Sequence, residues 1–456
     1  MKKSVNYIIY RNFLKKITDR TYNTFFNRLK GTFLRNVLMI ASGTAMAQII
    51  GIIFSPIITR IYGPVAYGIL GVFVSLTAIV SVIVSLTYPM AIVLPKEDKE
   101  ARGLVKLSII IGFAISIISF IILFLFGENI LKVIGMEVLQ PYVMLIPLFL
   151  IFSSLLQIVE QWIIRKKYFK LKANATVIQA FLLNSIKVIF GIFLPTATVL
   201  IFVTVGGQLL SVILLTIGLK IFIFNKKSTQ KKESEKKVSL WYLAKLYSDF
   251  PKYRSPEMFI NGITQSLPVL MLTSFFGPAS AGFYILGQRM LSMPAQLIGK
   301  AVGDVFYPRI VEGSYKKENI TSLVIKATAA LAVIGVLPFG MVIIWGPWLF
   351  STVFGPNWVV AGEYARWIAV WSYFVFVNSP SIRTLPVISE QKFQLIFTNI
   401  SLVIRIGMLF VGAYVIGNDT LAIALYSLAG AVLNIILISL IIMKSRVYDL
   451  KNKAFV

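Results

Sequence analysis

The chain contains no cysteine and no histidine. Their absence excludes disulfides, Cys/His metal centres, thiol nucleophiles and imidazole proton relays. Acidic residues are scarce too: 18 Asp and Glu stand against 45 Lys and Arg in 456 residues, a formal net charge of +27. A phosphate-binding glycine loop is also missing. Gly299-Lys300 lacks the upstream glycine and the following Ser or Thr, so ATP is not the expected fuel.

What the chain has in plenty is apolar surface. Hydrophobic residues make up 57% and charged residues 14%, and the mean hydropathy is +0.82. A soluble fold of this length could not bury so much. Repeated apolar runs of about 20 residues predict an all-α polytopic membrane protein. Backbone groups in hydrocarbon must be paired within each segment, so the runs are helices. About twelve spans fit between residues 37 and 443.

The basic residues fall in alternate connections: Lys96 to Lys106, Arg165 to Lys172, Asn225 to Arg254, Arg309 to Lys317, Arg383 to Lys392, and the C-terminal tail. The opposite connections carry Arg60, Glu128, Lys132, Glu137, Glu363, Arg366 and Asp419, which roughly balance. This asymmetry predicts that both termini are cytoplasmic. The positive charge is then an orientation signal rather than a nucleic-acid footprint. Trp345, Trp348, Trp358 and Trp367 are expected to form an aromatic belt at the far side.

Five regions follow. Residues 1–36 form a basic cytoplasmic segment, too polar for a signal peptide, that reads either as an amphipathic surface helix or as a disordered tail. Residues 37–223 hold six spans, 224–254 a lysine-rich cytoplasmic linker, 255–443 six more spans, and 444–456 a cytoplasmic tail. The halves echo each other. Gly63-Pro64 with Gly68 recurs as Gly277-Pro278 with Gly282, and Tyr88-Pro89 recurs as Tyr307-Pro308. An even number of spans per half makes the halves parallel, related by a pseudo-twofold axis along the membrane normal. The connections are short and leave no room for a soluble catalytic domain.

Charges also lie inside the spans. At 3.6 residues per turn, Arg289, Gln296 and Lys300 share one helical stripe, with Asp304 one turn further on. Lys187, Arg405 and Lys326 lie in three other spans. Glu160, Glu257 and Asp304 are acidic but belong to the cytoplasmic half, so Lys187, Arg289 and Arg405 have no carboxylate at matching depth. A central Arg or Lys costs roughly 2.5–3.5 kcal/mol on insertion scales and needs a compensating environment. Snorkelling suits Lys326, and an ion pair suits Lys300 with Asp304. For Lys187, Arg289 and Arg405 the favoured environment is a water-filled cavity that binds an anion. Two polar stripes add to this: Thr44, Gln48, Gly51, Ser55 and Thr59 on the first span, and Glu257, Asn261, Thr264 and Gln265 on the seventh. Either could line a cleft or pack helix against helix.

The stretches "YGPVAYGILGVFVSL" and "FFGPASAGFYILGQRMLSMPAQLIGKAVGDVFYPRI" resemble the two half-repeats of Wzx-type O-antigen and capsule flippases, members of the multidrug/oligosaccharidyl-lipid/polysaccharide superfamily. The resemblance rests on Phe276, Gly277, Gly282, Tyr284, Pro294, Ile298 and Gly299 and covers about residues 31 to 445. It implies two six-helix bundles in a V around a cationic lumen, as in multidrug (MATE) exporters. It implies a polyprenyl-pyrophosphate-linked oligosaccharide as substrate, moved from the inner to the outer leaflet of a bacterial cytoplasmic membrane. Substrate-binding candidates are then Arg289, Lys300, Lys187 and Arg405. Gln48, Asn261, Gln265 and Gln296 are polar lumen candidates. Glu160, Glu257 and Asp304 could carry coupling H⁺ or Na⁺, with no other cofactor expected. Membrane lipid surrounds the protein, and a polysaccharide polymerase and chain-length proteins are conceivable partners. The alternatives are a multidrug or cation antiporter of the same fold, which should carry deep acidic sites, and a membrane polysaccharide polymerase or ligase, which should carry a large outer loop. A purely structural scaffold gives no reason for unpaired cations.

Overall fold

The computed structural model describes residues 32–225, 239–316 and 318–454, with the side chains of 32–38, 222–225, 293–305 and 451–454 outside the description. The basic segment 1–31 and most of the lysine-rich linker therefore lie outside the described residues. The architecture is all-helical. The helices are α1 (Thr32–Ser81), α2 (Tyr88–Ala91), α3 (Asp98–Val133), α4 (Leu145–Arg165), α5 (Phe169–Phe193), α6 (Ala197–Asn225) and α7 (Leu240–Leu246). The second half continues with α8 (Ser255–Phe276), α9 (Pro278–Tyr315), α10 (Ile320–Phe354), α11 (Val359–Val377), α12 (Ser379–Thr384), α13 (Gln391–Phe410) and α14 (Asp419–Ala454).

Among the described residues, nine helices are long and apolar enough to cross a membrane. The first of them is folded at Gly63 into two arms. Helices α9, of 38 residues, and α11, of 19, are also of spanning length. Counting both arms of α1 with these two recovers the twelve spans read from the sequence.

The chain packs as two groups of helices. In the first, α1 contacts α5 and α6, α4 contacts α3 and α6, and α5 contacts α6. In the second, α10 and α14 flank α11, α13 lies on α14, and α8 on α9. The groups meet through α1, which packs on both α8 and α9. Tyr88 donates to the Ala244 carbonyl at 3.0 Å, and Thr87 donates to the Phe250 carbonyl at 3.0 Å. Leu243 is fully buried in a cluster with Leu104 and Ile92. The short helix α7, on the chain between the two halves, is thus fastened to the first bundle.

The Gly-Pro echo has a geometric counterpart. Gly63 (φ 69°, ψ 174°) and Gly277 (φ 85°, ψ 175°) adopt nearly the same conformation. Proline confines the residue before it to extended ψ, and positive φ there is open only to glycine. Five residues on, the second arm of α1 crosses α9. A Cβ on Gly68 would lie 1.7 Å from the Pro278 carbonyl oxygen, and one on Gly282 would lie 2.3 Å from that of Pro64. The contact is reciprocal: each glycine touches the proline of the other repeat, as a twofold interface requires. The pseudo-twofold axis passes between Gly68 and Gly282.

Around this crossing the bundles are sealed. Thr59 donates to the Phe354 carbonyl (3.3 Å), Arg60 Nη2 to that of Thr352 (2.6 Å), and Trp358 Nε1 to that of Thr59 (3.0 Å). Trp358, expected in an aromatic belt, is instead 1% exposed. Its indole N–H is satisfied within the seam, and its ring meets Tyr67 and Phe283 edge-on. Trp345 and Trp348 are exposed, as a belt requires.

Candidate binding cleft between the bundles

Arg289 sits 11 residues into α9, roughly 16 Å from its start at 1.5 Å per residue. That is about half of a bilayer core. The guanidinium reaches across to the first bundle. Nη1 donates to the Tyr67 hydroxyl at 3.2 Å. Nη2 lies 3.1 Å from where a Cβ on Gly51 would be, so the bare glycine leaves the space the guanidinium uses. Arg289 is nonetheless exposed. Lys187, on α5, is close enough for the charge of Arg289 to act on it. It is enclosed by protein yet keeps accessible surface. The Tyr62 hydroxyl fixes this helix by donating to the Lys187 carbonyl at 2.7 Å.

Among the described residues, no carboxylate pairs with either cation. Two like charges that feel each other across neighbouring spans, with no counter-charge among the described residues, repel, and an anion relieves both the repulsion and the cost of desolvation. The pairing of a planar donor fork with a movable ammonium suits phosphate oxygens.

Two members of the first span's polar stripe meet the second bundle. Gly51 meets Arg289, and Thr59 joins the seam to the second bundle. Gln48, one turn from Gly51, has a buried Oε1 with no hydrogen-bond partner among the described residues, and so does the Ser55 hydroxyl. On α8, Asn261 and Gln265 are exposed, while Gly262 abuts Ile79 and Ser266 donates to the Ser75 carbonyl at 3.1 Å. One face of α8 therefore packs on α1 and the adjacent face carries the free amides.

The other sequence candidates lie elsewhere. Arg405 belongs to the interior of the second bundle. Its guanidinium carbon is 3.8 Å from the Trp371 ring centroid and 4.2 Å from that of Tyr426. Its Nε and Nη2 are buried without a hydrogen-bond partner among the described residues. The π faces supply the compensation that the sequence reading sought in a water-filled cavity. Glu160 is paired with Lys172 at 3.1 Å and Glu257 with Arg254 at 2.9 Å. Lys326 is exposed. The side chains of Gln296, Lys300 and Asp304 lie outside the described residues.

Sequence reasoning missed Tyr67, Gly51's role as a recess, and Trp371. Tyr67 and Gly51 stood inside quoted motifs. No spacing rule links them to Arg289, more than 200 residues away.

The model of the polysaccharide biosynthesis protein family matches residues 57–363. No curated protein matches. Among solved structures, the chain is similar to a multidrug resistance MATE family transporter of the MOP superfamily in an inward-facing conformation, with TM-score 0.64 and 13% identity over 88% of this chain and 95% of that one. It is similar to the lipid II flippase MurJ in an inward closed conformation, with TM-score 0.62 and 16% identity over 88% and 86%. An outward-facing MATE family transporter gives TM-score 0.53 and 11% identity over 91% and 95%. At these identities the likeness is one of fold. With its multi-pass helical architecture and a family match across most of its length, the chain belongs to the polysaccharide biosynthesis protein family.

Proposed function

We propose that this protein is a flippase for polyprenyl-pyrophosphate-linked oligosaccharide, carrying it from the inner to the outer leaflet of a bacterial cytoplasmic membrane. It would work by alternating access, driven by H⁺ or Na⁺, and catalyse no chemical step. The observation that carries this reading is the pair Arg289 and Lys187 in the cleft, with no acid paired to either among the described residues and with Tyr67 and Gly51 shaping the space around the guanidinium. A pyrophosphate diester is the anion such a pair suits, and the family supplies the glycan. A cationic drug would be repelled from the same site, which weighs against the multidrug reading.

The lysine distribution favours a cytoplasmic position for both termini and the 226–238 segment. The seam around Gly68 and Gly282 then closes the outer side. A better fit to an inward-facing than to an outward-facing relative accords with that. Glu160 and Glu257 sit in ion pairs, so ion coupling through either would require a pair to open.

Reconstitution in liposomes with a fluorescent polyprenyl-pyrophosphate oligosaccharide tests the proposal. Time-dependent accessibility of the glycan to an outside reagent is expected from wild type and lost in Arg289→Ala. Equal flipping by a correctly inserted Arg289→Ala protein would overturn it. Reporter fusions after Lys226 and Val456 test the orientation, and an extracytoplasmic signal at either point would reverse it.

A further inference from the structure

Gln288 and Arg289 are neighbours on α9 but turn to different sides. Arg289 reaches the first bundle, whereas Gln288 lines a cavity of about 650 Å³ within the second. The wall is shared by α9, α11, the α12 turn and the start of α13. Its volume is that of a small-molecule site. Its polar groups are the amides of Gln288 and Gln394, the hydroxyls of Ser292, Tyr307, Ser372 and Ser379, and the exposed guanidinium of Arg383 on α12. Val375, Phe376, Ile382 and Pro386 make the rest of the wall apolar. Among the described residues, the side chains of Gln288, Ser372, Arg383 and Gln394 engage no protein hydrogen-bond partner.

Trp371 completes the wall. Arg405 stacks on its ring at 3.8 Å, and Tyr426 meets it edge-on with centroids 5.7 Å apart. The indole is thereby fixed before any ligand arrives. A rigid aromatic surface beside uncommitted amides and hydroxyls matches the chemistry of pyranose rings. Their C–H faces pack on aromatic surface, and their hydroxyls both donate and accept. A prenyl chain would leave the amides unsatisfied at a cost, and a pyrophosphate alone would find one guanidinium and no second cation among the cavity's described residues.

We propose that this cavity is a glycan subsite, which receives sugar residues of the lipid-linked substrate while its pyrophosphate is held at Arg289 and Lys187. The inference rests on the flippase reading above and adds the part of the substrate that the cleft does not address.

The test measures binding by thermal shift in detergent micelles. The probes are geranylgeranyl pyrophosphate and its glucosyl, galactosyl and N-acetylglucosaminyl derivatives. Wild type should bind at least one glycosylated probe more tightly than the bare pyrophosphate. The double variant Gln288→Ala/Gln394→Ala should lose that advantage, about tenfold for two neutral hydrogen bonds. It should bind the bare probe as wild type does, which also shows that it is folded. If the variant keeps the advantage, or if wild type shows none for any sugar, the glycan subsite is overturned and the flippase reading stands. If bare-probe binding falls equally, the cavity takes the lipid or the phosphate instead, which also overturns it. If wild type binds no probe, the flippase reading fails and takes this inference with it.

Discussion

The two bundles share a scaffold but use corresponding helices differently. In the first, α4 lies against the end of α1 with its polar groups tied inward. Gln157 Nε2 donates to the Ser81 carbonyl at 2.7 Å, and Ser154 and Ser85 share a hydrogen bond at 2.7 Å. Beyond them, Arg165 bridges Asp98 and the carbonyls of Ile92 and Pro95, and Lys166 also contacts Asp98. In the second bundle the matching helices are α11 and α9. Between them the same depth holds an open cavity with Gln288 and Ser372 uncommitted. The buried cations differ likewise. Lys187 on α5 turns to the cleft, whereas Arg405 on the corresponding helix α13 turns into an aromatic clamp. A duplicated backbone thus fixes where helices run, and the side chains of each copy decide which interior is packed shut and which is left open.

The sharpest way to break this comparison is Arg289→Ala, which removes the cation at the boundary between bundles. Charge-assisted hydrogen bonds are worth about 1.5–3 kcal/mol each, so losing two should cut pyrophosphate-lipid binding by about a hundredfold or more. Arg289→Lys should recover part of it, since the charge survives and the fork does not. Titration of the bare geranylgeranyl pyrophosphate probe measures both.

The shared scaffold is tested next. Gly68→Val and Gly282→Val each drive a side chain into the opposite repeat's proline carbonyl. Overpacking costs roughly 1–3 kcal/mol or more, so both should lower the yield of monodisperse protein and its Tm, by similar amounts. The double variant should be less than additive, because one separation of the helices relieves both clashes. If only one substitution destabilises, the twofold contact is not mechanically reciprocal.

Smaller effects separate the two interiors. Arg405→Met should lower Tm through loss of two π contacts, about 0.5–2 kcal/mol, while leaving affinity for the bare pyrophosphate probe unchanged. A large loss of that affinity would return Arg405 to the cleft. Ser154→Ala strands the Ser85 hydroxyl and should cost about 1 kcal/mol. Ser372→Ala, with no partner to strand among the described residues, should stay within about 0.5 kcal/mol. Thermal unfolding in detergent compares them.

Much of the scaffold was legible because lipid imposes it locally. Apolar run length, charge alternation and the Gly-Pro joints are properties of contiguous residues, and they predicted the spans and the parallel repeat. Less of the site was legible. Arg289 stood out because a cation in an apolar run is costly wherever it points. Its partner Tyr67 and the recess at Gly51 could not be read, since they depend on which helices meet. Arg405 shows the same limit. Its depth asks for compensation, and the groups beside it are Trp371 and Tyr426 on two other helices. Glu160 looked available until α5 brought Lys172 beside it. Trp358 looked interfacial because it stood near other tryptophans, yet its N–H had a carbonyl waiting on α1.

The seam at the Gly-Pro end has one further property. Thr59, Arg60 and Trp358 all donate to main-chain carbonyls, those of Phe354, Thr352 and Thr59. A carbonyl neither titrates nor disappears when its residue is replaced. The closure is accordingly indifferent to pH over the physiological range, and the exposed side chain at position 352 can change without removing the acceptor that Arg60 uses. Only the donor side of each bond is exposed to mutation, so the burden of keeping this end shut rests on very few letters of the sequence.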